Sequence, residues 1–334
     1  MDPLRVAVVG AGWIARDHLA TLARAEGVSV VAVCDVDETR AVEAAPGGAN
    51  IYRDWQELLQ CEELEALWIC TPPLAHREPA VAALERGIAV YLEKPVARTL
   101  EDGGAIVAAA ERTGTVCAIG YQWHGLELLD VVRGELEGQT VGLLLGRSVG
   151  PTQARPWFLN RAQGGGQLLE RASHHIDLQR AVAGEVTAVQ AAGSGVPLAQ
   201  GAEEEHGDIE DAATLVLRLA GGGIGTIHVA WTRRGLPSFF GLDIVATEAT
   251  LQLDLDPSFR LCGRSRGRVL ELDAREHPFE RTIRRFLAAA RDRDADAVFC
   301  TPRDALGTLA VALACEEALE SGETVAVPAE LVAR

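Results

Sequence analysis

One lysine stands in a chain whose thirty other basic side chains are all arginine. It is Lys94, with Glu93 before it and Pro95 after it, at the end of the apolar run Ile88 to Leu92. Arginine carries surface charge as well as lysine does. It stays protonated in proteins, however, and its planar fork differs in shape from a compact ammonium. A drift towards arginine that spares one position points to a site needing a tunable, point-like proton donor. An exposed Glu93–Lys94 pair would contribute only about 0–1 kcal/mol and would need no special placement. Pro95 restricts the backbone beside Lys94 to extended conformations.

A second group of residues suits a phosphate-rich ligand. Gly10-Ala11-Gly12-Trp13-Ile14-Ala15 follows the strand-like run Leu4 to Val9 and opens a helical pattern. In a G-x-G-x-x-G/A loop the first glycine permits the tight turn and the second lets backbone approach a pyrophosphate. The small residue at the end allows close helix–strand packing. The helix start then offers free N–H groups and a positive dipole end, with Trp13 and Ile14 in its first turn. Asp35 ends the second strand-like run, twenty residues after Ala15, where a carboxylate accepts hydrogen bonds from ribose hydroxyls. The same charge repels a 2′-phosphate, so NAD is expected over NADP. Thr71 and Pro72 follow another apolar run, with His76 just beyond, either as a contact or as a helix-start residue.

The third group lies in the second half. Gly164-Gly165-Gly166 precedes Glu170, His174 and Asp177, which on a regular helix fall within about 60° of one another. That predicts an acid–histidine–acid stripe, with His175 turned towards the core. Histidine suits proton transfer near neutrality because its ordinary pKa is about 6.5. No second cluster of ligands accompanies the stripe, so no metal site is expected. Tyr121, Gln122 and His124 surround Trp123 where the pattern of elements changes; they are candidates for substrate, and Gln122 for cofactor as well.

The elements that must position these groups follow from the apolar patterning. Apolar runs at 4–9, 28–34, 66–70, 88–92 and 115–119 alternate with helical stretches near 54–60, 75–86 and 99–112. This predicts a doubly wound parallel sheet over residues 1–121. After Tyr121 come a helix near 125–137, a strand near 141–149 and a helix at 167–183. Strands then follow one another at 186–193, 211–219, 224–232, 239–246 and 249–254, before two helices at 277–291 and 303–321. Strand after strand predicts an α+β domain with a largely antiparallel sheet over 122–334. The acidic segment 201–211 is expected to be a solvated loop.

The chain has 334 residues and a formal charge of −17. That charge repels polyphosphate, so neither nucleic acid nor an anionic membrane is an expected partner. The seven cysteines are scattered without a C-x-x-C, which suits a reducing cytoplasm. No apolar run of 18 residues and no signal-like start occurs, so neither a membrane span nor secretion is expected.

GAGWIA at 10–15, CDVD at 34–37, TPP at 71–73, EKP at 93–95, GYQWH at 120–124 and GGGQLLERASHHID at 164–177 together resemble the glucose–fructose oxidoreductase / inositol dehydrogenase / MocA family of NAD(P)-dependent oxidoreductases. The C-terminal stretch 301–327 is similar too. The resemblance implies an N-terminal Rossmann domain, an α+β second domain, and a sugar, inositol or related polyol bound in the cleft between them. It implies a catalytic lysine at Lys94, a catalytic histidine at His174 and an acidic substrate-binding residue at Glu170, where the family often has Asp. Asp177 falls among the implied substrate contacts, and Glu93 and Lys94 beside the cofactor. Gln122 and His124 depart from the family's Asn and Arg. A homodimer or homotetramer is expected, because one face of the antiparallel sheet lacks helices. Two alternatives share the fold: a glycosidase-like enzyme that recycles NAD, and a non-catalytic NAD-binding sensor.

Overall fold

The computed structural model describes residues 2–151, 157–196, 198, 209–233 and 235–332. It divides into two compact units, each discontinuous in sequence: 1–122 with 279–306, and 123–278 with 307–334. The sequence reading placed one boundary, at 121/122.

The first unit is a six-stranded parallel sheet: β1 (Leu4–Val9), β2 (Val28–Cys34), β3 (Asn50–Tyr52), β4 (Ala66–Ile69), β5 (Ala89–Leu92) and β6 (Cys117–Ile119). Their order is β3-β2-β1-β4-β5-β6. The order reverses between β1 and β4, and ligands of open α/β sheets bind at the carboxyl ends of strands beside such a switch point. Helices α1 (Trp13–Leu22), α2 (Glu38–Ala44), α3 (Trp55–Cys61), α4 (Arg77–Glu85) and α5 (Leu100–Thr113) form the crossovers. Local chemistry sets their ends. Thr99 caps α5 by accepting from Asp102 N, and Gly114 closes it in the left-handed region at φ +66°. The sequence reading missed α2 and β3. The signal for α2 was Asp37, whose side chain accepts from Thr39 N at the helix start.

The second unit is a nine-stranded sheet. It contains β7 (Val141–Pro151), β8 (Val186–Ser194), β9 (Ala212–Leu219), β10 (Ile224–Thr232), β11 (Phe239–Ala246), β12 (Ala249–Asp256), β13 (Arg260–Ser265), β14 (Arg268–Asp273) and β15 (Val325–Ala326). All neighbours run antiparallel except β7 and β10. The β13–β14 hairpin was not expected. Its turn, Arg266-Gly267, has φ of 47° and 77°, the left-handed pair that a two-residue hairpin requires. Of the expected acidic loop at 201–211, residues 201–208 lie outside the described residues. The remaining helices include α6 (Glu127–Leu136), α7 (Arg161–Gly164), α8 (Ser173–Ala183), α9 (Pro278–Asp292) and α10 (Pro302–Ser321).

Apart from its first residue, α9 belongs to the first unit, and its packing gives the reason. Phe286 stands edge-on to Trp68 and Tyr91 at 5.0 and 5.4 Å, while those two rings stack at 5.6 Å. The aromatics join Val6, Val8, Ala15 and Leu19 in one buried cluster. Phe286→Ala is expected to destabilise the first unit by about 3–5 kcal/mol through transfer and cavity terms, a loss that urea denaturation followed by amide exchange will localise to residues 4–119.

Candidate functional site

In the first unit the expected residues gather at the carboxyl edge of the sheet. Gly10 turns away from β1 at φ +91°, and a Cβ there would lie 2.7 Å from the Cys70 carbonyl. Only glycine lets the end of β1 pass so close to the end of β4. A Cβ on Gly12 would meet nothing within 4 Å, and no side chain caps α1 there. The first turn, with Trp13 and Ile14, has no side-chain cap, and Trp13 is 58% exposed. Asp35 Oδ2 accepts from Ala11 N at 2.7 Å and Oδ1 from Asp37 N at 2.9 Å, which fixes the carboxylate beside the glycine loop. A carboxylate offers about four acceptor positions, so it can still take ribose hydroxyls. An open glycine cradle at a helix start, with an anchored carboxylate beside it, fits a dinucleotide.

Glu93 is the most constrained of these residues. It follows β5 and is 7% exposed. Its Oε1 lies 2.8 Å from Nε2 of His18, which is fully buried on α1. Its Oε2 accepts from Lys94 N at 3.1 Å. Burial would raise its pKa; the His18 bond and charge, together with Lys94, outweigh that and hold it below the ordinary value. A Cβ on Gly120 would sit 3.0 Å from this carboxylate, so the β6 loop closes over it. Lys94 itself is half-buried and its peptide to Pro95 is cis. Thr71 and Pro72 are half-buried. His76, expected as a cofactor contact or a helix start, is fully buried at the N-terminus of α4. Its Nε2 lies 2.9 Å from Thr71 O, and its Nδ1 lies 3.1 Å from Pro95 O and 3.3 Å from Val96 O. Burial lowers its pKa.

In the second unit the segment that carries the expected stripe is not a regular α-helix throughout. Residues Leu168–Ala172 form a π-helical turn, and only from Ser173 is the helix α. The wider turn takes Glu170 off the 100° periodicity that related it to His174. Glu170 and His174 are partly exposed, whereas Asp177 is 1% exposed. Asp177 Oδ2 lies 2.7 Å from His124 Nε2, and its Oδ1 accepts from Thr308 Oγ1 at 3.1 Å. His124 is buried as well, beside Trp123, whose ring centroid lies 5.2 Å from that of His174 and 4.9 Å from that of His175. Tyr121, in the first unit, is buried, and Gln122 is half-buried. Thr308, 131 residues from Asp177, carried no signal in the sequence.

His175 is the core histidine expected. It lies over β7, where a Cβ on Gly146 would come within 2.9 Å of its Nδ1. Burial lowers its pKa to about 3; a hydrogen bond donated to the Arg147 backbone carbonyl opposes this, and the charges of Arg147 and Arg171 add to the lowering. A folded-state pKa below the unfolded one means that the unfolded chain takes up the proton first. The stability is complete above about pH 6.5 and is lost as pH falls from there towards 3. Between pH 7 and 5 the wild type is expected to lose about 2 kcal/mol more than His175→Gln, measured as the difference in urea unfolding free energy.

Residues 4–121 match the GFO/IDH/MocA family described as an oxidoreductase family with an NAD-binding Rossmann fold, and residues 141–252 match that family's C-terminal domain. The chain belongs to this family: it is an oxidoreductase whose first unit carries the NAD-binding fold. D-apiose dehydrogenase of Paraburkholderia graminis is 29% identical over 272 residues, covering 79% of this chain and 71% of that one. Levoglucosan dehydrogenase of Pseudarthrobacter phenanthrenivorans is 25% identical over 286 residues, covering 75% and 73%. A levoglucosan dehydrogenase structure in complex with NADH superposes with a TM-score of 0.82 at 20% identity, covering 98% of this chain and 100% of that one. Among the described residues no helix is long and apolar enough to cross a membrane.

Proposed function

We propose that the protein oxidises a ring carbinol of a sugar, inositol or related polyol, or reduces the corresponding ketone, with NAD as partner and with Lys94 and His174 as its proton-transfer groups. The observation that carries this reading is the single lysine of the chain, set immediately after a buried carboxylate at the carboxyl edge of a dinucleotide-binding sheet. The dehydrogenases named above, which act on D-apiose and levoglucosan by their names, support the substrate class.

The glycine loop at 10–12 and the first turn of α1 would hold the pyrophosphate, and Asp35 the adenosine ribose. The bound dinucleotide supplies hydride chemistry at C4 of its nicotinamide. The imidazole of His174 takes the hydroxyl proton as the carbinol is oxidised, and returns it in the reverse direction. Lys94 Nζ donates to the reacting oxygen and stabilises the negative charge that develops there. Glu170 orients His174 or binds an adjacent hydroxyl. Asp177, held by His124 and Thr308, supports the site from beneath. Gln122 contributes to the cofactor and substrate surface. The scattered cysteines, without a C-x-x-C, agree with a cytoplasmic location, and a homodimer or homotetramer completes the reading.

The test is NADH formation across a panel containing D-apiose, levoglucosan, myo-inositol and methyl glucosides. At least one is expected to be oxidised. Lys94→Met and His174→Asn are each expected to lower kcat by about 10²–10⁴-fold while NADH affinity changes little. Full turnover in both variants would overturn the mechanism. Cleavage of an aryl glycoside with no net NADH would replace oxidation with NAD recycling.

A further inference from the structure

The mechanism leaves unused two buried histidines of the first unit, one against the Glu93 carboxylate and the other against the carbonyls of Pro95 and Val96. His18, on the helix whose N-terminus faces the dinucleotide, holds Glu93 Oε1 at 2.8 Å, and the other oxygen of that carboxylate accepts from Lys94 N. His18 Nδ1 meets no acceptor among the described residues, so its proton belongs on Nε2, aimed at Glu93. The ring is wedged between Tyr91 and Phe279, at 5.2 and 4.6 Å, and has no room to turn away. On the other flank His76 sets one ring nitrogen against the carbonyls of Pro95 and Val96. It sets the other against the carbonyl of Thr71, in the loop after β4. The residues on both sides of Lys94 thus meet buried imidazoles packed against two segments that line the cofactor edge, the neutral His76 ring donating its one N–H either to the Pro95 and Val96 carbonyls or to that of Thr71.

We infer that His18 and His76 are positioning residues for Lys94, His18 acting through the Glu93 carboxylate and His76 on the carbonyls that follow. Together they hold the ammonium-bearing loop in register with α1 and with the Thr71 loop. The inference rests on the reading of Lys94 as a proton-transfer group. A histidine that merely filled the core would need no polar partner on the Lys94 backbone. Here His76 makes such a contact directly, on Pro95 O and Val96 O, and His18 reaches Lys94 N through the Glu93 carboxylate, from different elements and on opposite sides of one residue. A short, rigid attachment matters at this place, because a shift of about 1 Å in a reacting group can cost about 10²-fold in rate.

The lone lysine makes the test site-specific. Protein labelled with ε-13C-lysine gives one side-chain resonance, that of Lys94. In His18→Ala and in His76→Ala this resonance is expected to move at least halfway to the free amino-acid position. Amide exchange over residues 93–98 is expected to accelerate at least fivefold, with exchange over 212–232 unchanged. His18→Gln, whose amide N–H can still reach Glu93, is expected to restore both signals, and it serves as the measurement if the alanine variant does not fold. An unmoved lysine resonance in both alanine variants, with only the thermal midpoint lowered, would overturn the inference and leave two core histidines. NADH added to the wild type reports separately. No shift of the resonance would count against the role given to Lys94, while the effect of the histidines on the loop would still be read from the same spectra.

Discussion

A carboxylate almost without solvent lies at the carboxyl edge of the parallel sheet, and the first unit is arranged to keep it charged. Desolvating an ion costs several kcal/mol unless hydrogen bonds and opposite charge replace the lost water. Glu93 meets that condition with His18 on one oxygen, Lys94 N on the other, and the missing side chain of Gly120 to admit it. The cost spreads to neighbours: Glu93 adds to the burial that already pushes up the Cys70 thiol and the Tyr91 phenol. The one lysine of the chain comes next along the backbone. What holds the carboxylate therefore also sets where that ammonium begins.

The second unit solves the opposite problem with neutral groups. His175 and Gln179 lie against β7 and β10 where Gly146 and Gly225 leave no side chain beneath them, so α8 approaches the sheet closely. His175 stays uncharged because burial costs an imidazolium more than its one backbone hydrogen bond to Arg147 returns. The next residue back, His174, is partly exposed beside Trp123. Two adjacent histidines thus have opposite environments, decided by one step of about 100° around a helix axis. Asp177 is the acidic side chain in this layer, and His124 and Thr308 contact it as His18 and Lys94 N contact Glu93.

Much of the site was legible from short-range pattern. The glycine loop, Asp35 and Lys94 each stand directly after an apolar strand run, and in a parallel sheet those positions share one edge. The same logic missed His18. Yet its spacing from Ala15, Leu19 and Leu22 puts it on the buried side of α1, a signal that could have been read. For the Glu170–His174–Asp177 stripe, periodicity arithmetic assumes a constant turn, whereas a π turn widens the helix at Leu168–Ala172 and Asp177 is buried.

By itself the chain determined its strands, its crossover helices and the residue types gathered at the sheet edge, because those depend on neighbours a few positions apart and on the period of burial. The tertiary structure alone decided which polar groups would be buried together. His18 meets Glu93 across 75 residues and Asp177 meets Thr308 across 131. The same is true of the place of α9, whose Phe286 completes an aromatic cluster seeded by β4 and β5. Such pairings follow from where the backbone brings side chains in three dimensions, and no local spacing encodes them.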